Sequence, residues 1–191
     1  MRKAIFLDRD GTLIEAVPYL SRLSQIKLLS GVPEALSLLK GKGYSLVVVT
    51  NQSGVARGFF DEDFVLESHR RIQLLLKETG VTVDAFYFCP HHPTEGDPPY
   101  RVDCDCRKPK PGLLLRAASE LSLGLVGSWV VGDDLPDLMM ARNLGLPFAL
   151  VRSGYGRILE EGGLLPPLRE GEWVVDDLLA AAHLIADKSS G

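Results

Sequence analysis

The sequence predicts an α/β fold, a parallel sheet flanked by helices in a single domain, on three observations. Short apolar runs of strand length alternate with amphipathic stretches of helical length along the chain. The apolar runs are continuous rather than alternating, as in strands covered on both faces. The 191 residues, 46% apolar and 24% charged, suit one globular unit with length enough to bury a substantial core. The expected domain spans residues 1–187, with residues 188–191 as a frayed tail.

The first strand is expected at residues 4–7, and residues 12–32 follow as a long connection. A helix over 33–40 carries Pro33 in its first turn and stops at Gly41. The second strand, 45–49, leads to a helix over 62–78 that ends before Gly80. The third strand, 84–88, is followed by another long connection over 89–110. Long connections in compact domains are usually functional or disordered. Beyond them the pattern reads helix 111–121, strand 128–131, helix 135–144 closed by Gly145, strand 148–151, short strand 173–175 and helix 177–186.

Polar residues gather where these strands end. The first stops at Asp8-Arg9-Asp10-Gly11-Thr12, the second at Thr50-Asn51-Gln52-Ser53-Gly54, and the fourth at Gly132-Asp133-Asp134, with Asp137 three residues on. In a parallel sheet the carboxyl ends share one edge, so these groups converge there. Each has a plain alternative: Asp-Gly favours turns, Thr50 caps, and Asp133 and Asp134 suit a helix N-cap. Together they fit phosphoryl transfer. A carboxylate can attack phosphorus, a divalent cation can steady the phosphate oxygens, and a hydroxyl and an ammonium can hold the equatorial charge.

The bulk properties narrow the options. A formal net charge of −4 argues against a nucleic-acid surface, although Arg107, Lys108 and Lys110 form a local basic run. No apolar stretch is long enough for a bilayer span. The run after Met1-Arg2-Lys3 stops at Asp8, too early for a secretory signal, so a cytoplasmic location is expected. Three cysteines lie between positions 89 and 106, with histidines beside the first. Cys89, Cys104 and Cys106 with His91 or His92 offer the four ligands of a closed, structural zinc site.

Asp8-x-Asp10-Gly11-Thr12, Thr50, Lys108 and Gly132-Asp133-Asp134-x-x-Asp137 resemble, in order, the four motifs of the haloacid-dehalogenase-like phosphohydrolases. More narrowly, three stretches resemble the D,D-heptose 1,7-bisphosphate phosphatases and the related histidinol-phosphate phosphatases. They are Leu7-Asp8-Arg9-Asp10-Gly11-Thr12, Val49-Thr50-Asn51-Gln52-Ser53-Gly54 and Cys104-Asp105-Cys106-Arg107-Lys108-Pro109. The fold expected is a Rossmann-like domain without a large cap, because the connections after Asp10 and Asn51 are too short to hold one.

The resemblance implies a hydrolase acting on phosphoric monoesters, with Asp8 as nucleophile and Asp10 as the group that protonates the leaving oxygen and then activates water. Thr50 and Lys108 would hold the transferring phosphoryl group. Magnesium would sit on Asp8, the Asp10 carbonyl and Asp133, with Asp134 a second candidate. Substrate contacts are expected from Tyr19, Asn51, Gln52, Ser53 and Arg107, the last toward a second anionic or polar group. The related enzymes bind zinc through the first histidine of the cysteine loop, which selects His91 with Cys89, Cys104 and Cys106. Zinc would pin a segment, 93–101, that has little means of fixing its own shape. The partner implied is a small phosphorylated metabolite, a sugar bisphosphate first and histidinol phosphate second, acted on by a monomer without nucleic-acid or membrane partners. One departure stands out: Glu15-Ala16-Val17-Pro18-Tyr19 is more apolar than the stretch some relatives place there. A zinc-stabilised binding module is the non-enzymatic alternative.

Overall fold

In the computed structural model, which describes residues 1–189, the apolar runs pair as one all-parallel sheet. Its strands are β1 (Arg2–Leu7), β2 (Ser45–Asn51), β3 (Ala85–Cys89), β4 (Leu123–Gly132), β5 (Phe148–Val151) and β6 (Glu172–Val175), in the order β3-β2-β1-β4-β5-β6. The chain winds outward from β1 in one direction and then from β4 in the other. The crevice at the carboxyl ends of those two central strands is therefore the topological switch point, where open α/β sheets bind ligands.

Strand pleating sends alternate residues to opposite faces. Ile5, Leu7, Leu46, Val48, Val131 and Val151 pack on one side against α1 (Val32–Gly41), α2 (Glu62–Glu78) and, across the sheet, the C-terminal helix. Phe6, Val47, Val49, Val130, Phe148 and Leu150 pack on the other against α3 (Gly112–Glu120) and α4 (Leu135–Leu144). A short helix, α5 (Arg157–Glu161), and α6 (Leu178–Lys188) complete the chain.

The structure departs from the sequence expectations in three places. The strand expected at 128–131 begins earlier, at Leu123, because Arg2 and Lys3 pair with Leu123 and Gly124 before an irregularity shifts the register. There the Ser128 hydroxyl accepts the Ala4 N–H at 2.8 Å, so a side chain stands in for the missing ladder bond. The expected tail begins too early, since α6 runs through Lys188; residues 190 and 191 lie outside the described residues. And α5, preceded by one π-type turn over Arg152–Gly156, lies in a stretch where no element was expected.

Helix α2 starts at Asp61, whose carboxylate accepts the Phe64 N–H, and it buries Val65, Ser68, His69, Ile72 and Leu76. The His69 ring stacks on Phe86 of β3 at 4.7 Å, and its Nε2 has no hydrogen-bond partner. Burial first, and the Arg9 charge second, push its pKa from 6.5 to about 3. An unfolded chain therefore takes up a proton between those values that the folded one refuses, and this group withdraws stability as pH falls through that window. His69→Phe keeps the stack and removes the orphaned nitrogen. It is expected to stabilise the fold by about 1 kcal/mol at neutral pH, and to flatten the loss of stability below pH 6.5 in urea titrations.

Candidate active site

Each acidic residue at the crevice is delivered by a strand end. Asp8 follows β1, its N–H bonded to the Val131 carbonyl at 2.9 Å; Asp133 follows β4, and Asp137 lies in the first turn of α4. One oxygen from each of Asp8, Asp133 and Asp137 lies within 4.8 Å of the others. Lys108 reaches in from the long connection and is only 4% exposed. Its Nζ donates to Asp8 Oδ1 at 2.6 Å, Asp137 Oδ1 at 2.7 Å and the Val49 carbonyl at 2.9 Å.

Glycine makes this approach possible. A Cβ on Gly11, at φ +77°, would sit 2.2 Å from Asp133 Oδ2, and one on Gly154 would sit 1.9 Å from the same atom. The Tyr155 N–H donates to that oxygen at 2.8 Å, and the Ser153 hydroxyl donates to the Gly11 carbonyl at 2.7 Å. This Ser153–Tyr155 turn was missed in the sequence, although its polar, glycine-rich run follows β5 as the other site segments follow their strands.

Burial, then the Asp8 charge, push the Asp133 carboxyl up to about 8. Burial also raises Asp137, to about 7, against the pull of Lys108. Two carboxylates flanking Lys108 raise its pKa despite burial. Three carboxyls around one ammonium leave negative charge in excess, and an all-oxygen donor set of this kind fits a hard divalent cation. Asp134, expected as a possible ligand, lines the same cavity of about 130 Å³ but accepts the Leu135 N–H at 2.7 Å as the cap of α4. Asp137, in the same cavity, joins Asp8 and Asp133 in the cluster.

Thr50 is buried, and its Oγ1 accepts from Gln52 Nε2 at 2.9 Å. Asn51 clamps the Lys108 peptide: Nδ2 donates to its carbonyl at 3.1 Å and Oδ1 accepts its N–H at 3.0 Å. Gln52 is turned inward, toward Thr50, Asp10 and Arg9. Ser53 lines a second cavity of about 280 Å³, open beside the first and sharing Asp10, Asn51 and Tyr155 with it. Its far wall is Ala16, Val17, Pro18, Tyr19, Leu20 and Phe60. Tyr19 is 54% exposed, adopts a left-handed φ of 49°, and rests on the Phe59 ring at 4.3 Å.

The cysteine loop closes on itself. Cys106 Sγ lies 3.0 Å from Cys104 Sγ, 3.2 Å from Cys89 Sγ and 3.2 Å from His91 Nδ1. The three cysteines are free thiols, and burial pushes Cys106 up to about 11. His92 is elsewhere: its Nδ1 accepts the Glu95 N–H at 3.0 Å. Three sulfurs and one imidazole at this spacing match a tetrahedral zinc donor set. The segment 93–101 is better organised than its composition led us to expect. The His92 N–H donates to the Tyr100 carbonyl at 3.0 Å, the Val102 N–H donates to the His92 carbonyl at 3.1 Å, and the Tyr100 hydroxyl donates to Glu62 at 2.7 Å. Arg107 lines neither cavity; its Nη1 donates to the His91 carbonyl at 3.1 Å. Lys108 is buried and Lys110 pairs with Asp103 at 2.7 Å, so the basic run is not a continuous patch.

A family model described as HAD-hydrolase-like matches residues 105–181, and one described as polynucleotide kinase 3 phosphatase matches residues 3–134. A D-glycero-beta-D-manno-heptose-1,7-bisphosphate 7-phosphatase of Pasteurella multocida is 47% identical over 155 residues, 81% of this chain and 84% of the relative. The protein of that name from Haemophilus influenzae is 44% identical over 180 residues, 94% of this chain and 92% of its own length. The chain belongs to the D,D-heptose 1,7-bisphosphate phosphatase family of HAD-like hydrolases. Its fold agrees: the B. bronchiseptica D,D-heptose 1,7-bisphosphate phosphatase, complexed with magnesium and phosphate, superposes with a TM-score of 0.84 at 35% identity. That comparison covers 97% of this chain and 99% of the other.

The Lys108 ammonium compensates two carboxylates that burial already disfavours. Lys108→Met is therefore expected to destabilise the metal-free protein by about 3 kcal/mol, read as a lowered urea midpoint at pH 7. An unchanged midpoint would show that the ion-pair geometry carries no weight in the fold.

Proposed function

We propose that this chain is a magnesium-dependent phosphomonoesterase that removes the 7-phosphate of D-glycero-D-manno-heptose 1,7-bisphosphate through an aspartyl-phosphate intermediate, as a monomer in the cytoplasm. The reading rests on the cluster of Asp8, Asp133, Asp137 and Lys108 at the switch point, beside a cavity large enough for the rest of a small substrate. The names carried by relatives at 44–47% identity supply the substrate.

Asp8 attacks phosphorus as the ester P–O bond breaks, and Asp10 passes its proton to the leaving oxygen. Asp10 then takes a proton from water; the water attacks phosphorus, the acyl phosphate opens, and Asp8 is restored. Thr50 and Lys108 hold the phosphoryl oxygens throughout. Magnesium, held by Asp8, the Asp10 carbonyl and Asp133, with Asp134 or Asp137 close by, would neutralise phosphate charge next to the attacking carboxylate. Asn51 acts through the Lys108 backbone that it clamps. Tyr19 and Ser53 line the cavity that the sugar would enter, and Arg107, outside both cavities but with donors beyond the one given to His91, is the residue assigned to the second phosphate.

Zinc on Cys89, His91, Cys104 and Cys106 would fix the root of Arg107 and Lys108, which follow directly after the last ligand. The apolar wall of Ala16, Val17 and Pro18 cannot hydrogen-bond a sugar through its side chains, which keeps histidinol phosphate as the second substrate to test. A 3′-phosphorylated oligonucleotide is the third, given the match to the polynucleotide kinase 3 phosphatase model.

Heptose 1,7-bisphosphate, assayed as both anomers, is expected to give the highest kcat/KM of the three, with phosphate lost from position 7. Asp8→Asn is expected to lower phosphate release at least about a thousandfold while the circular dichroism spectrum is retained. Parental turnover in that variant would defeat the whole reading. Cys104→Ser is expected to lose bound zinc and, on the order of tenfold, turnover. Zinc-free protein of unchanged activity would separate the loop from catalysis.

A further inference from the structure

We propose that Arg9, braced by Ser68 and Gln52, is a positioning residue that presents one chosen oxygen of Asp10 to the leaving group. The inference rests on the phosphatase reading above and concerns a side chain that reading leaves without a role. Arg9 lies between the two site aspartates and borders the larger cavity but not the smaller one that holds Asp8 and Lys108, and it is only 2% exposed. Burying a guanidinium is costly unless its donors are met, and here the partners all belong to one arrangement.

Its Nε donates to Asp10 Oδ2 at 2.9 Å, and Nη2 donates to Asp10 Oδ1 at 3.1 Å and to Gln52 Oε1 at 3.0 Å. Nη1 donates to Ser68 Oγ at 2.9 Å, and that hydroxyl is itself directed by donating to the Val65 carbonyl at 2.7 Å. Gln52 returns the constraint: Nε2 donates to Asp10 Oδ2 at 3.0 Å and to Thr50 Oγ1 at 2.9 Å. One amide thus ties the carboxylate that moves the proton to the hydroxyl that holds the phosphoryl group.

The two Asp10 oxygens are not equivalent. Oδ2 accepts two donors, at 2.9 and 3.0 Å, whereas Oδ1 accepts one, at 3.1 Å. An oxygen already accepting twice is committed as an acceptor, which leaves Oδ1 as the oxygen with room to face the leaving group. As the ester bond breaks, the proton that the reaction above takes from Asp10 passes through Oδ1 to the leaving oxygen, and the electron pair left behind stays on the carboxylate that Arg9 and Gln52 hold. A bidentate fork fixes the plane of a carboxylate in a way a single charge does not.

A positioning role predicts leaving-group dependence, because a nitrophenolate leaves without a proton and a sugar alkoxide does not. Arg9→Met is expected to lower kcat/KM for the sugar bisphosphate about a hundredfold. With 4-nitrophenyl phosphate, kcat/KM should change by less than about threefold, since that ratio reads only steps up to loss of the leaving group. Arg9→Lys should remain impaired with the sugar substrate. Ser68→Ala, which deletes one hydroxyl and spares the site, should show the same selective loss, several-fold in size. In an Asp10→Asn background, Arg9→Met should cost nothing further with the sugar bisphosphate. Equal losses on both substrates, full activity of Arg9→Met, or additive losses in the double variant would each overturn the proposal. Turnover of 4-nitrophenyl phosphate by Asp8→Asn would instead refute the phosphatase reading beneath it.

Discussion

The Lys108 ammonium, wedged between Asp8 and Asp137, is the interaction on which the rest of the site depends. Those carboxylates and Asp133 share a space in which three negative charges cannot coexist uncompensated. Lysine supplies one positive charge and a fixed location for it, with the Val49 carbonyl as third acceptor. The remaining excess of negative charge is what makes the pocket receptive to a divalent ion, and the glycines at 11 and 154 let Asp133 approach closely enough to share it. Stability and reactivity draw here on the same few atoms. The strands that carry them are among the most deeply buried in the molecule, so the sheet can tolerate concentrated charge at its edge.

The sheet and its helices were largely legible because long apolar runs permit few alternatives. Strand ends such as Leu7-Asp8 and Val131-Gly132-Asp133 change abruptly from apolar to acidic, and a parallel sheet turns such endings into neighbours. What resisted reading was set by tertiary contacts. The early start of β4 depends on Ser128 filling a gap opposite Ala4, 124 positions away. The inward position of Asp137 follows from the pitch of α4 relative to a lysine on another loop. The sequence marked Gln52 as a substrate contact; it borders the larger cavity and also bonds Arg9, Asp10 and Thr50, a network the sequence did not show. Its partner Arg9, from the neighbouring strand end, and the Ser68 of α2 that accepts from Arg9 have no mark in local sequence. The segment 93–101 misled for a related reason: composition reports backbone freedom, and not the bonds His92 and Tyr100 make across the loop.

The cysteine loop gains its meaning from where it is tied. Asn51 pairs in register with Cys89 at the end of β3, and the Gln52 N–H donates to the Cys89 carbonyl at 2.8 Å. The same Asn51 side chain clasps the Lys108 peptide from both sides. One strand end thus fixes the first thiol, and through its amide fixes the lysine two residues past the last thiol. The loop is long in sequence but short in mechanical terms, because both of its ends are anchored at β2.

The two cavities are built from different parts of the chain. The acidic cluster and Lys108 sit at strand ends and on one tethered loop, where a shift of one residue would break several buried bonds. The groups lining the neighbouring cavity come from residues 16–20, from Ser53 to Phe60, and from Tyr155, on connecting segments. Loops of that kind exchange side chains without disturbing a core. Ala16 and Val17 present apolar surface, and Tyr19 is held over the opening by Phe59 in a conformation that costs a residue with a side chain about 1–2 kcal/mol. A strained aromatic above an apolar wall gives that opening a fixed shape. The cavity that these segments line opens onto Asp10 but carries none of the three clustered carboxylates, so its shape and the charge arrangement beside it are set by separate segments of the chain.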